Sequence, residues 1–232
     1  MDAETTVNKN VFGFAEGNGK DKKLLGGKGA NLCEMTQIGL NVPPGFVIST
    51  ASCLKYLDSP SRDLPDGVMD EVRSHMRTIE AQTGKGFGDS ENPLLVSVRS
   101  GSAMSMPGMM DTILNLGLNA ATVQGVIAHT GDPRFGYDAF RRFIQLFGKV
   151  ALGVSDELFD KQFHEVKKAV GVTEDLALSA DDLQDASERF LKVVEEATGR
   201  PFPEDPFIQL EIAIKAVFNS WMGKRAVDYR NQ

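Results

Sequence analysis

From Ala120 to Pro206 the sequence carries helix signals and almost no strand signals, and this asymmetry limits the architectures open to the 232-residue chain. Asn119 precedes a helical run with Val123, Val126 and Ile127 that stops at Gly131. Pro133 opens a longer one, with Phe135, Phe140, Phe143, Ile144 and Phe147 on a broad apolar stripe. Ser155 opens another, with Leu158, Phe159, Phe163 and Val166, and Ser179 a further one, with Leu183, Phe190 and Val194, closed by Gly199. Apolar residues three and four apart share one helix face, so each segment has a stripe to bury against its neighbours. A last helix after Pro206 carries Phe207, Leu210, Ile214, Val217, Phe218 and Trp221.

Before Asn119 the signals are mixed. "VFGF" (Val11–Phe14) and "GFVIST" (Gly45–Thr50) read as short strands. Lys28 to Ile38 reads as a helix with Leu32 and Met35 on one face. Ser49 or Thr50 can cap the helix that follows the second strand. Val68, Val72, Met76 and Ile79 mark an amphipathic helix that stops at Gly84. "PLLVSVRSG" (Pro93–Gly101) is the strongest strand signal, too apolar for an exposed edge. The expected class is α+β: a mixed lobe over 1–119, a helical subdomain over 120–206, and a helix over 207–232 that returns to the mixed lobe. The ending "KRAVDYRNQ" has neither turn nor tail and reads as a cut chain.

Composition removes several function classes. A net charge of −7 argues against a general nucleic-acid binder. No apolar run approaches the roughly 20 residues of a membrane span. The start "MDAETTVNKN" has the layout of neither a signal nor a transit peptide. Cys33 and Cys53 are too few for a disulfide framework and are not metal-spaced, so a reducing compartment is expected.

Two clusters carry the chemistry. "LLGGKGANL" (Leu24–Leu32) spends three glycines around Lys28. A P-loop needs Ser or Thr after the lysine, where this chain has Gly29, and the dinucleotide fingerprint needs glycine at Leu32. What remains is a sharp turn at Gly26–Gly27 followed by a helix start, whose free N–H groups attract an anion, with Lys28 adding a full charge. A plain turn with a solvated lysine is the alternative. The second cluster, "SVRSGSAMSMPGMMDTILNLG", runs from Ser97 to Gly117. Arg99 stands at the end of the strand, and its planar fork suits phosphate, unless it pairs with Asp111 or another acid. Met104, Met106, Met109 and Met110 are adaptable apolar groups that can cover a ring or a partner surface, or lie over a core.

"LLGGKGANLCEM", "VPPGFVIST", "PLLVSVRSG", "SMPGMMDTILNLGLN" and "DPRFGYDAFRRFIQ" closely resemble the amino-terminal nucleotide-binding region of the pyruvate phosphate dikinase family, over about Val11 to Gln232. The glycine–lysine stretch is shared with phosphoenolpyruvate synthase and related dikinases, whereas "SMPGMMDTILNLGLN" is specific to the first branch.

The resemblance implies the first lobe of an ATP-grasp-like domain with an inserted all-helical subdomain. It implies ATP as ligand, with Lys28 and Arg99 on its phosphates. Gly27, Gly29, Gly101, Ser105, Gly108, Met109, Met110, Asp111 and Thr112 would form the segments covering them. In such enzymes the β-phosphoryl of ATP passes to a histidine of a swivelling domain and the γ-phosphoryl to inorganic phosphate. A barrel domain then transfers the histidine's phosphoryl to pyruvate. Mg²⁺ accompanies ATP, with ligands mostly in a second lobe, and the full enzyme is expected to dimerise through other domains. The compartment expected is cytoplasm or an organellar stroma or matrix, without nucleic-acid or membrane partners. The three histidines stand in "SHM", "AHT" and "FHE", none of which matches the phosphoryl carrier. No catalytic or metal residue is therefore assigned to this chain, which is expected to be inactive alone. A phosphoenolpyruvate synthase-type fragment and a truncated binding or regulatory module are the alternatives.

Overall fold

The structure, a computed structural model, describes residues 9–101 and 110–230. Its elements are β1 (Val11–Gly13), α1 (Lys22–Gln37), β2 (Phe46–Ile48), α2 (Thr50–Asp58), α3 (Val68–Thr83), β3 (Val96–Arg99), β4 (Thr112–Leu116), α4 (Thr122–Thr130), α5 (Pro133–Ala151), α6 (Asp156–Val170), α7 (Ala180–Thr198), α8 (Pro206–Ser220) and α9 (Lys224–Arg230). Helices dominate and the strands form two-stranded sheets, so the class is α+β. The chain divides into two compact units, one of residues 1–84, 99–111 and 217–232, the other of 85–98 and 112–216.

In the first unit β1 and β2 pair antiparallel, Val11 opposite Ile48 and Gly13 opposite Phe46. The Glu71 carboxylate of α3 ties down the front of β1. It accepts the backbone N–H groups of Asn10 at 3.0 Å and Val11 at 2.8 Å. Ser49 caps α2, accepting from the Ser52 N–H at 3.1 Å, as its position before the helix predicts. Val68, Val72, Met76 and Ile79 are the buried face of α3, and Gly84 ends that helix in the left-handed region. Leu25, Ala30 and Cys33 of α1 form a small core with Phe12, Phe14, Leu24 and Val47 packed on it. The Tyr56 ring lies 5.5 Å from Phe218, and its hydroxyl accepts from the Asn219 amide at 2.9 Å.

The second unit is built on phenylalanine. α5 packs against α4, α6, α7 and β4. Phe143, Phe147 and Phe202 stack at 5.3 to 5.7 Å between centroids, and Phe159 and Phe163 both meet Phe190, at 5.0 and 6.2 Å. Gly148 of α5 admits Phe159 closely: a Cβ there would lie 2.7 Å from the ring's Cζ. Gln209 of α8 is fully buried yet satisfied, accepting from the Gly117 N–H and donating to the Leu118 and Pro203 carbonyls. Arg141 is also buried, paired with Asp138 at 2.7 Å and stacked 4.2 Å from the Phe163 ring. Residues 132–198 contain helices and no strand.

Three expectations need correction. β3 is only four residues long and alternates half-buried Val96 and Val98 with exposed Ser97 and Arg99. The apolar weight that made it look like a core strand belongs to Leu94, which is buried just before β3, its N–H donating to the Gly86 carbonyl at 2.7 Å. Phe135 and Leu158, assigned to apolar stripes, and Met35 of α1 are exposed. Phe135 and Leu158 each stand one residue before the buried face that Gly136 and Phe159 begin, about 100° around the helix from it. Trp221 lies beyond α8, stacked on the Arg230 guanidinium at 4.1 Å. No helix among the described residues is long and apolar enough to cross a membrane.

Phe190→Ala should remove about 3–5 kcal/mol of stability by opening a cavity among Phe159, Phe163 and α5. Urea unfolding followed by circular dichroism measures this, and a loss under about 1 kcal/mol contradicts the packing described. The cysteines are both free thiols. Burial raises that of Cys33 and pushes that of Cys53 up to about 11. At pH 8 Cys53 should therefore alkylate on the order of 100-fold more slowly in the folded protein than an ordinary exposed thiol. Equal rates before and after denaturation contradict that environment.

Candidate functional site

The glycine–lysine stretch lies inside α1, and it breaks that helix in two. Gly26 has φ 69° and ψ 166°, a non-helical conformation between helical residues on either side. That region of backbone space is essentially closed to any residue with a Cβ. The turn before the break is fixed at its start: Asp21 accepts the Leu24 N–H at 3.0 Å, and the Thr50 hydroxyl donates to the Lys23 carbonyl. The helix restarts at Gly27, so Lys28 stands in the first turn of a new helix. Gly29, one residue on, is buried against Val47 of β2, where a Cβ would come within 2.8 Å of a methyl group.

The second cluster meets the first at this break. A Cβ on Gly26 would fall 1.4 Å from the Gly101 carbonyl oxygen and 2.4 Å from its carbon, so the two backbones touch where Gly26 has none. Seen from the other side, a Cβ on Gly101 would be 3.9 Å from each of the Gly29 nitrogen, the Leu25 carbonyl oxygen and Lys28 Cβ. Gly26, Lys28, Gly29 and Gly101 are thus gathered at one point of the first unit, and Arg99 enters it two residues before Gly101. Lys28 and Arg99 are both exposed. Among the described residues neither forms an ion pair with a carboxylate.

Asp111, weighed as a partner for Arg99, pairs instead with Arg225 of α9, at 3.5 Å, and its N–H donates to the Ser220 hydroxyl at 3.4 Å. Met110 is half-buried. Thr112, expected in the covering segment, is the first residue of β4. Ser105, Gly108 and Met109 lie outside the described residues, as do Met104 and Met106. Among the described residues no three His, Cys, Asp or Glu side chains gather as metal ligands do. His75 lies 3.8 Å from Glu16 and 5.7 Å from the Phe46 ring, and His129 bonds Asn92 at 3.0 Å, contacts that account for both side chains structurally.

Sequence reading missed the contact itself. In the sequence Gly26 reads as a turn former, and nothing in the spacing between residues 26 and 101 indicates that their backbones touch. The Gly26–Gly27 doublet was the available signal, because a paired glycine often marks a close approach as well as a turn. Arg225 as the partner of Asp111 had no local signal at all.

Chemically the arrangement offers cationic side chains and helix-start N–H groups beside glycines that leave backbone exposed. It fits the phosphate end of a ligand. Among the described residues, the first carboxylate after Gly101 in sequence, Asp111, is paired with Arg225.

The sequence model of the family described as pyruvate phosphate dikinase, AMP/ATP-binding domain, matches residues 22–64 and 60–232. Pyruvate, phosphate dikinase of Entamoeba histolytica is 56% identical over 222 residues, which is 96% of this chain and 25% of that protein. The Rhizobium meliloti enzyme of the same name is 49% identical over 94% of this chain and 24% of its own length. The chloroplastic pyruvate, phosphate dikinase of Mesembryanthemum crystallinum is 48% identical over 99% of this chain and 24% of its own length. The chain spans about a quarter of the length of the relatives it matches. With the family match covering nearly all of it, the chain belongs to the pyruvate phosphate dikinase AMP/ATP-binding domain family.

Proposed function

We propose that this chain supplies one face of the ATP site of a pyruvate phosphate dikinase, holding the polyphosphate between Lys28 and Arg99. The observation that carries the reading is the Gly26–Gly101 contact, which brings the lysine turn and the Arg99 segment to one place in one unit. Lys28 adds a point charge at a helix start, and Arg99 a planar fork able to bind two phosphate oxygens at once. Phosphoryl transfer depends mainly on holding the groups in line and neutralising the charge that spreads over them, and these two cations do both. Gly27, Gly29 and Gly101 leave the backbone accessible, and Ser105, Gly108, Met109, Met110 and Asp111 follow in the segment assigned to cover the phosphates.

The whole reaction would convert ATP, pyruvate and inorganic phosphate into AMP, phosphoenolpyruvate and diphosphate. The β-phosphoryl goes to a histidine on another domain of the same protein, and the γ-phosphoryl goes to inorganic phosphate to form the diphosphate. The phosphohistidine then gives its phosphoryl to the enol oxygen of pyruvate on a barrel domain. Mg²⁺ would accompany ATP and neutralise part of its phosphate charge, with its protein carboxylates outside this chain. Dimerisation would also run through other domains. A cytoplasmic, stromal or matrix location fits relatives named both with and without a chloroplast label.

Arg99→Lys in the full-length enzyme should lower kcat/KM for ATP on the order of 100-fold, because a point charge cannot replace a bidentate fork. Wild-type turnover by that variant removes Arg99 from the site. For the 232-residue chain alone, Mg-ATP binding in a calorimeter should be weaker than about 100 μM, with no dikinase activity. Contacts on one side of the polyphosphate stay open to water and are screened by salt. Submicromolar binding means that the whole site lies within these residues and contradicts the reading.

A further inference from the structure

We propose that Gly26 is a positioning residue of the phosphate site. Its bare Cα against the Gly101 carbonyl sets the distance between the Lys28 helix start and the strand end carrying Arg99. The inference rests on the reading of Lys28 and Arg99 as phosphate contacts, and assigns a role to a residue that need not touch ATP.

Three observations separate Gly26 from the other glycines of the first unit. Its φ of 69° with ψ of 166° is a conformation that side chains exclude. Its missing Cβ is replaced by a backbone oxygen 1.4 Å away, and a backbone group cannot rotate aside as a side chain can. The turn in front of it is clamped by Asp21 and by Thr50, so strain introduced at position 26 cannot be relieved toward the helix start. It must displace Gly101 or the restart at Gly27, and either movement alters where Lys28 lies relative to Arg99.

Other glycines lack this combination. Gly29 and Gly45 meet side chains of Val47 and Phe14, which mark packing. Gly39 has φ of 83° with nothing within 4 Å of its would-be Cβ. It carries backbone strain without a neighbour, and so provides the control that separates general destabilisation from positioning.

The test uses the full-length enzyme with Gly26→Ala, Gly39→Ala, Lys28→Met and the Gly26→Ala/Lys28→Met double variant. Gly26→Ala should lower kcat/KM for ATP on the order of 10- to 100-fold while leaving the KM for pyruvate unchanged. Gly39→Ala should lower the melting temperature and leave ATP kinetics as in the wild type. The double variant should be no worse toward ATP than Lys28→Met alone, because a positioning effect vanishes once the positioned group is gone. Fully additive losses, equal losses toward ATP and pyruvate, or unchanged ATP kinetics in Gly26→Ala each overturn the proposal. Wild-type ATP kinetics in Lys28→Met refute instead the phosphate reading, and this inference falls with it.

If Gly26→Ala does not fold, the wild-type 232-residue chain answers the question. Inorganic tripolyphosphate added to the ¹⁵N-labelled protein should shift the amides of Gly26–Gly29 and of Ser100–Gly101 along one binding curve. Different dissociation constants for the two segments, or shifts in one alone, overturn the coupling. Shifts in neither refute the phosphate site on which it depends.

Discussion

The first unit depends on a close approach between two backbones. Where Gly26 meets Gly101 there is no room for a single carbon atom, and the conformation that allows the approach belongs to glycine. The helix on the far side of the break buries Ala30 and Cys33 and seats Gly29 on Val47, so one end of the kink is fixed in the core. Asp21 and Thr50 fix the other end. The exposed residue left at the bend is Lys28. A rigid frame around an exposed cation is what ligand positioning calls for, because a group held by its surroundings pays little ordering entropy when an anion arrives.

The second unit solves a different problem. Its long helices carry six buried phenylalanines, Phe140, Phe143, Phe147, Phe159, Phe163 and Phe190, and close packing of rings makes the unit stiff and sensitive to volume changes. Its buried polar groups are satisfied locally: Gln209 bonds three backbone groups, and Arg141 is neutralised by Asp138 and stacked on Phe163. These arrangements explain stability.

Helix positions are legible because the helical period holds over about two turns or more in segments such as Phe140–Phe147 and Phe159–Val166. Stop signals were equally local: Gly84, Gly131 and Gly199 all end helices in the left-handed conformation. β3 reads as a core strand because Leu94, just before it, is buried against another segment, and a window of residues cannot tell burial in a strand from burial beside one. The single helix expected over 207–232 is two, α8 and α9, divided at 221–223, and the seven residues of α9 are too few to show a period of their own. At the candidate site, the residue types pointed to phosphate, but the Gly26–Gly101 contact joins positions 75 apart in sequence. Contacts of that kind arise from the whole fold, and the local spacing holds no trace of them.

The central claim, that the kinked turn and the Arg99 segment hold a nucleotide's phosphates together, is tested most directly by amide hydrogen exchange on the full-length enzyme with and without Mg-ATP. The account predicts slowed exchange in residues 26–30 and 98–101 together, with the α5–α7 core of the second unit unchanged. Protection confined to that helical core, with no change around Gly26 and Gly101, would contradict it.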